Sequence, residues 1–149
     1  MTETEKEYSI NIRRIESYKF EIDFNLEKAD KIIVDEDPPQ GNNEGGDPSR
    51  MLAASIAHCT MSSLLFCMEK SRATVGEMSA KAKVAFGRDE NKRLRITDIR
   101  LDIDVKVPDA DIPKLQRCIP IFEDFCTVTQ SVKKGINIKT EIKFNREKD

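Results

Sequence analysis

Apolar and polar residues alternate over Tyr8–Ile15 (YSINIRRI) and again over Tyr18–Phe24 (YKFEIDF). A strand sends successive side chains to opposite faces, so a period of two predicts two half-buried strands, close enough to pair as a hairpin. Lys31–Asp35 (KIIVD) predicts a short third strand. The run DPPQGNNEGGD over 37–47 is the densest cluster of Pro, Gly and Asn in the chain, and such a cluster predicts a loop. The pattern then changes. Asp47 is placed to cap a helix and Pro48 to open it. From Pro48 to about Lys70 the residues are apolar or small nearly all round, which predicts one long buried helix rather than a surface one. Its run of Ala53, Ala54, Ser55, Ala57, Ser62 and Ser63 lets a neighbouring element approach closely.

Period-two alternation returns over Ser79–Gly87 and Arg93–Val107, joined by the polar loop RDENK. Each of these strands is expected to bury one face and solvate the other. Pro108 and Asp109 open a second helix over DADIPKLQRCIPIFEDF, which Pro113 and Pro120 keep short or kinked. A third helix is expected from Cys126 to Lys134, stopped by Gly135, followed by a last strand over Ile136–Phe144. The order predicts an α+β chain, one domain over residues 1–149, with an antiparallel sheet covering a hydrophobic helix.

Charge narrows the function classes. The chain carries 25 Lys and Arg against 27 Asp and Glu, a net −2, so no basic face for a nucleic acid is expected. The longest apolar stretch, Met51–Met68, is broken by Ser, His, Thr and Cys, and is read as too interrupted to span a membrane. The start MTETEKEYS is acidic and polar, unlike a signal peptide. The chain is therefore expected to be cytoplasmic, with no membrane partner. In that compartment the four cysteines, Cys59, Cys67, Cys118 and Cys126, are expected to be reduced.

Cysteines in such a chain serve as packing residues, metal ligands or redox groups. No C-x-x-C pair occurs, and a metal site from Cys59, His58 and Cys126 has no recognisable ligand spacing. Cys126 lies at the expected start of the third helix, where unpaired backbone N–H groups favour a thiolate. Cys59 lies mid-helix and needs a cation from elsewhere. A thiolate that attacks a peroxide becomes a sulfenic acid, which a second thiol closes into a disulfide. The plain alternative for each cysteine is core packing. The only histidine, His58, adjoins Cys59, but neighbours on a helix diverge by about 100°, so it is not placed to act as its base.

The segment GGDPSRMLAASIAHCTM resembles the first signature of the OsmC/Ohr family: a Gly-rich loop, a Pro, a small-residue helix and then a nucleophilic cysteine, here Cys59. FCTVTQSVKKGINIKTEI resembles the second signature, with Cys126 at the resolving position. IIVDEDPPQGNNEGGDP resembles the pre-helix loop of the less-studied OsmC-like branch, and together these span roughly 31–149. The resemblance implies an intertwined homodimer, with antiparallel sheets packed on long central helices and active sites at the dimer interface. It implies reduction of organic hydroperoxides, and less readily hydrogen peroxide, through a Cys59–Cys126 disulfide. A dithiol partner would supply the electrons, with no bound cofactor.

Two departures from the family pattern bear on the site. The Glu expected one or two residues after the Pro is replaced by Ser49 and Arg50, and the loop carries no Arg. A guanidinium beside Cys59 would favour its thiolate, and Arg13, Arg14 and Arg50 are the candidates. Glu44 is the candidate for the missing carboxylate. Cys67 and Cys118 match neither signature and are read as core residues. Met51, Ile56, Met61, Phe122 and Phe125 are candidates for an apolar substrate lining, or for plain core. Two other functions remain open: a non-enzymatic ligand-binding module on the same fold, and a thiol redox sensor.

Overall fold

The computed structural model describes residues 3–147. Strands β1 (Asn11–Glu16), β2 (Lys19–Asp23) and β3 (Ile32–Val34) form one antiparallel sheet in the order β1-β2-β3. Asn11 faces Asp23 and Arg14 faces Phe20, with an irregularity between Arg14 and Glu16 that leads into the turn. Ser17 takes a positive φ of 49° there, and its carbonyl accepts the Arg14 Nε hydrogen bond at 2.8 Å. A polar residue with a short side chain tolerates that backbone region better than a branched one.

The loop after β3 is tied down from within. The Asp35 side chain, 3 % exposed, accepts backbone N–H groups from Glu36 at 2.8 Å, Asn42 at 3.1 Å and Glu44 at 3.2 Å. Val34 and Gly46 form a parallel bridge, and a Cβ on Gly45 would collide with the Ile33 carbonyl. Glycine is thus required where the loop returns along β3. Asp47 then accepts the N–H groups of Ser49 and Arg50, both at 3.3 Å, and caps helix α1 (Pro48–Lys70) as expected.

Only one stripe of α1 is well buried: Ala53, Ile56, Thr60, Leu64 and Met68. Their spacing of three and four residues marks a single helix face. Phe66 remains 57 % exposed, so the expectation of a helix buried all round is not met within one chain. A second expectation needs correcting here. By length and composition α1 is apolar enough to cross a bilayer, its Ser and Thr notwithstanding.

Strands β4 (Met78–Arg88) and β5 (Leu94–Val105) form a separate two-stranded sheet. Asp89 organises the connecting turn by accepting the N–H groups of Asn91 at 2.8 Å and Arg93 at 3.0 Å. Neither face is buried along its length: Phe86, Leu94 and Ile96 are all exposed. The expectation of one covered face is therefore not met within the chain.

The proline-containing helix is broken into pieces. A 3-10 turn at Asp109–Asp111 leads into α2 (Ile112–Cys118), and a second 3-10 turn covers Phe122–Phe125. Pro113 sits in the first turn of α2, where no N–H is missed, while Pro120 lies beyond its end and blocks continuation. Helix α3 (Thr127–Lys134) then stops at Gly135, which has φ 82°.

Two further expectations are corrected. No strand is assigned over Ile136–Phe144, and Ile138, Ile142 and Phe144 are 83 %, 83 % and 91 % exposed. Among the described residues nothing covers the apolar face that the alternation would create. Cys67 and Cys118 are not free thiols: they are joined in a disulfide, with Cys118 buried.

The chain falls into two compact units. The first takes the chain up to Ala57 together with Ala80–Ile103; the second takes His58–Ser79 together with the chain from Asp104 onward. In the second, Thr60, Leu64, Met68, Asp111, Cys118, Phe122 and Cys126 are buried, with the Cys67–Cys118 bond among them.

Candidate active site

Two free thiols, Cys59 and Cys126, meet in the second unit. Cys126 is the cap residue of α3, with extended dihedrals (φ −79°, ψ 100°), and its carbonyl accepts the first helical bond from Gln130 N–H at 3.0 Å. Its side chain therefore points back over the first turn, where N–H groups lack helical partners. One of them, Val128 N–H, donates to Cys59 Sγ at 3.4 Å. The two thiols are also in hydrogen-bonding contact with each other.

Two hydroxyls complete the cluster. The Cys126 thiol donates to Thr129 Oγ1 at 3.0 Å. Thr60 Oγ1 lies 3.0 Å from Thr129 Oγ1 and 3.8 Å from Cys126 Sγ. Cys126 and Thr60 are buried, whereas Cys59 is half-buried.

The surroundings set the two thiols apart. Burial pushes the Cys126 thiol up, but hydrogen bonds to Cys59, to Thr129 and to Thr60 outweigh it and bring it down to about 7. Burial pushes the Cys59 thiol up as well, and Cys126 beside it adds to the rise, which the Val128 and Thr129 backbone N–H groups offset only in part. The two thiols titrate as a pair, and the hydroxyl hydrogen bonds favour the negative charge on the Cys126 side.

The model for OsmC-like proteins matches residues 41–141, a span that includes α1, both sheet strands β4 and β5, and both free thiols. The chain belongs to the OsmC-like family. The fold agrees with solved structures of OsmC-like proteins. An OsmC-like protein of unknown function from Vibrio cholerae aligns with a TM-score of 0.74 at 19 % identity, over 86 % of this chain and 94 % of that one. An organic hydroperoxide resistance protein from Elizabethkingia anophelis aligns at 0.59 and 19 % identity, over 86 % and 91 % of the two chains. The organic hydroperoxide resistance protein OhrB of Bacillus subtilis aligns at 0.58 and 18 % identity, over 91 % and 96 %. At these identities the likeness shows the α+β fold alone. No curated protein sequence matches this one.

Arg13, Arg14, Arg50 and Glu44 of this OsmC-like protein lie in the first unit and are held there by side chains of opposite charge or by a carbonyl. Arg13 pairs with Glu21 at 3.4 Å. Arg14 binds the Ser17 carbonyl. Arg50 reaches Asp37 at 3.0 Å and Asp47 at 2.8 Å. Glu44 pairs with Lys19 at 2.7 Å, which also holds Glu16 at 2.9 Å. His58 is exposed. Of the apolar candidates, Met51 lines a cavity of about 380 Å³ in the first unit with Ile12, Tyr18, Phe20, Ile22 and Val34. Ile56 and Phe122 are buried, Met61 is half-buried and Phe125 is 73 % exposed.

Sequence reasoning missed Thr60 and Thr129. A signal for Thr129 was present: it stands three residues after a helix-capping cysteine, the position whose side chain turns back toward the cap. Thr60 carried no comparable signal, since its meeting with Thr129 joins residues 69 apart.

Proposed function

We propose that this OsmC-like protein is a thiol-dependent peroxidase that reduces organic hydroperoxides through a Cys59–Cys126 disulfide. The observation that carries the reading is the contact between two free thiols of unequal acidity, one half-buried and one buried, inside a family match that spans both. Cys59 is the sulfur a hydroperoxide can reach. As Cys59 Sγ attacks the distal oxygen, its proton passes to the Cys126 thiolate. The O–O bond breaks, the alkoxide takes a proton and leaves as an alcohol, and Cys59 carries a sulfenic acid. Cys126 sulfur then attacks Cys59 sulfur, the S–O bond breaks, and hydroxide leaves as water. Two thiols and one hydroperoxide thus give one disulfide, one alcohol and one water. A dithiol returns the two electrons.

The raised Cys59 thiol is what an added cation would correct, and Arg13, Arg14 and Arg50 are the proposed sources. The exposed remainder of α1 and the exposed alternation over 136–144 favour a homodimer as the working form, since apolar surface of that extent marks an interface. A bilayer is the less favoured cover for α1: the exposed Ser55, His58 and Ser62 would lose water there. The reading is of a cytoplasmic protein.

One equivalent of cumene hydroperoxide added to protein with Cys59 and Cys126 reduced tests this directly. Peptide mass spectrometry is expected to find a Cys59–Cys126 link, and dithiothreitol to sustain turnover. Cys59→Ser is expected to abolish turnover; Cys126→Ser is expected to allow one oxidation and then stall. Normal turnover in Cys59→Ser would sink the proposal. A second reading, a redox sensor, is favoured by the raised Cys59 thiol, and a stoichiometric, reversible disulfide without turnover would select it.

A further inference from the structure

The two hydroxyls beside Cys126 bear on the return half of the cycle, when the disulfide is reduced. In thiol–disulfide exchange the incoming thiolate attacks one sulfur and the other departs as a thiolate, and the sulfur whose thiolate is better stabilised departs faster. Geometry distinguishes the two sulfurs here. Cys126 Sγ sits on the cap of α3, 3.0 Å from Thr129 Oγ1 and 3.8 Å from Thr60 Oγ1, with those hydroxyl oxygens 3.0 Å from each other. A hydroxyl rotates to suit its partner, so Thr129, an acceptor toward the thiol, becomes a donor toward the thiolate. Cys59 is served by backbone N–H groups, Val128 at 3.4 Å and Thr129, with no hydroxyl of its own, and sits in the half-buried position.

We propose that Thr129 is the hydrogen-bond donor that holds the Cys126 sulfur as the leaving thiolate, with Thr60 donating to Thr129 and fixing its orientation, so that the reducing thiol attacks Cys59. Thr129 touches the reacting sulfur directly; Thr60 orients Thr129 and supports the same charge from farther away. The step balances simply. A thiolate of the reducing dithiol forms a bond to Cys59 Sγ, the Cys59–Cys126 bond breaks, and Cys126 leaves as a thiolate receiving the Thr129 hydroxyl hydrogen bond, with the Thr60 hydroxyl donating to Thr129 Oγ1. The second thiol of the reductant then attacks the reductant's own sulfur in the mixed disulfide, which releases Cys59 and leaves the reductant oxidised by two electrons.

This inference rests on the Cys59–Cys126 pairing of the proposed function but not on the peroxide step, and the experiment separates the two. Diamide oxidises the full-length protein without any hydroperoxide, taking two electrons and two protons. Glutathione, a monothiol, is then added at pH 7, the reaction is stopped with acid, and peptide mass spectrometry locates the adduct. The expected result is a glutathione adduct on Cys59 and a free Cys126. Thr129→Val is expected to slow this reaction by at least about tenfold, the worth of a hydrogen bond to a charged group, while Thr129→Ser restores it. Thr60→Val is expected to slow it less. Exposure alone would also steer glutathione to Cys59, but it predicts no loss of rate in Thr129→Val. An unchanged rate in Thr129→Val, failure of Thr129→Ser to rescue, an adduct on Cys126, or no disulfide after diamide each overturns the proposal. If Thr129→Val does not fold, Thr129→Ala and Thr60→Val carry the same comparison. Loss of peroxide consumption with the exchange behaviour intact would instead count against the peroxidase reading alone.

Discussion

The backbone N–H of Val128 points at the sulfur of Cys59 from 3.4 Å, while the residue two before it, Cys126, caps the same helix. One turn of α3 therefore serves both thiols. Titrating the protein by thiolate absorbance, with the Cys67–Cys118 bond intact, is expected to give one thiolate forming near pH 7, on Cys126, and a second at clearly higher pH, on Cys59. In Cys59→Ala the side-chain hydrogen bond that contributes most to lowering Cys126 is removed, so its titration is expected to move up. A single unshifted transition in both proteins would contradict the arrangement.

The Asp35 carboxylate makes an acid-stability prediction. Burial alone would raise its pKa, but the three backbone N–H groups and Lys19 more than compensate, so its folded value lies below the ordinary one. A depressed carboxylate contributes stability above its unfolded pKa of about 3.9 and loses it as pH falls through the folded value. Asp35→Asn is thus expected to lower the melting temperature at pH 7 and to flatten its dependence on pH below about 4. Parallel acid limbs in wild type and variant would show that Asp35 does not carry this dependence.

Cys67 and Cys118 close a loop over a sequence separation of 51. In the chain-entropy account a loop of that length stabilises by about 4 kcal/mol, mainly by restricting the unfolded chain. The double variant Cys67→Ala, Cys118→Ala is expected to unfold at markedly lower urea, with Cys59 and Cys126 still able to pair. Equal midpoints for the two proteins would show that the bond adds no net stability.

Association is the fourth prediction. Light scattering at micromolar concentration is expected to report a dimer. Phe66→Asp, placed on the exposed face of α1, is expected to shift the protein toward monomer or abolish folding. A wild-type monomer would contradict the proposed assembly.

Much of the chain was legible from pattern. The start of α1 was readable because Asp47 and Pro48 mark it through local chemistry, and β1, β2, β4 and β5 followed from alternation, with β3 read from a short apolar run. The second helix was readable as interrupted but not as three pieces, since the pattern does not say whether the chain resumes after Pro120. The strand expected over 136–144 failed for a different reason: period two reports a face that wants covering, not what covers it. Both site cysteines were visible through a resemblance and Cys126 through helix position as well. The Cys67–Cys118 bond and the Thr60–Thr129 contact were not, because each depends on a meeting of residues far apart in sequence.

The exposed stretch over 136–144 also bears on how such a chain stays out of trouble. In an extended backbone the alternation would put Ile136, Ile138, Ile142 and Phe144 on one side and Lys139, Glu141 and Lys143 on the other. A β-prone segment with one apolar side is a template for wrong-register stacking between many copies. The charges on the other side act as gatekeepers, because a third copy laid face to face would have to desolvate them. Replacing those three by Thr or Val would remove no side-chain hydrogen bond or ion pair among the described residues and still make the protein prone to aggregate.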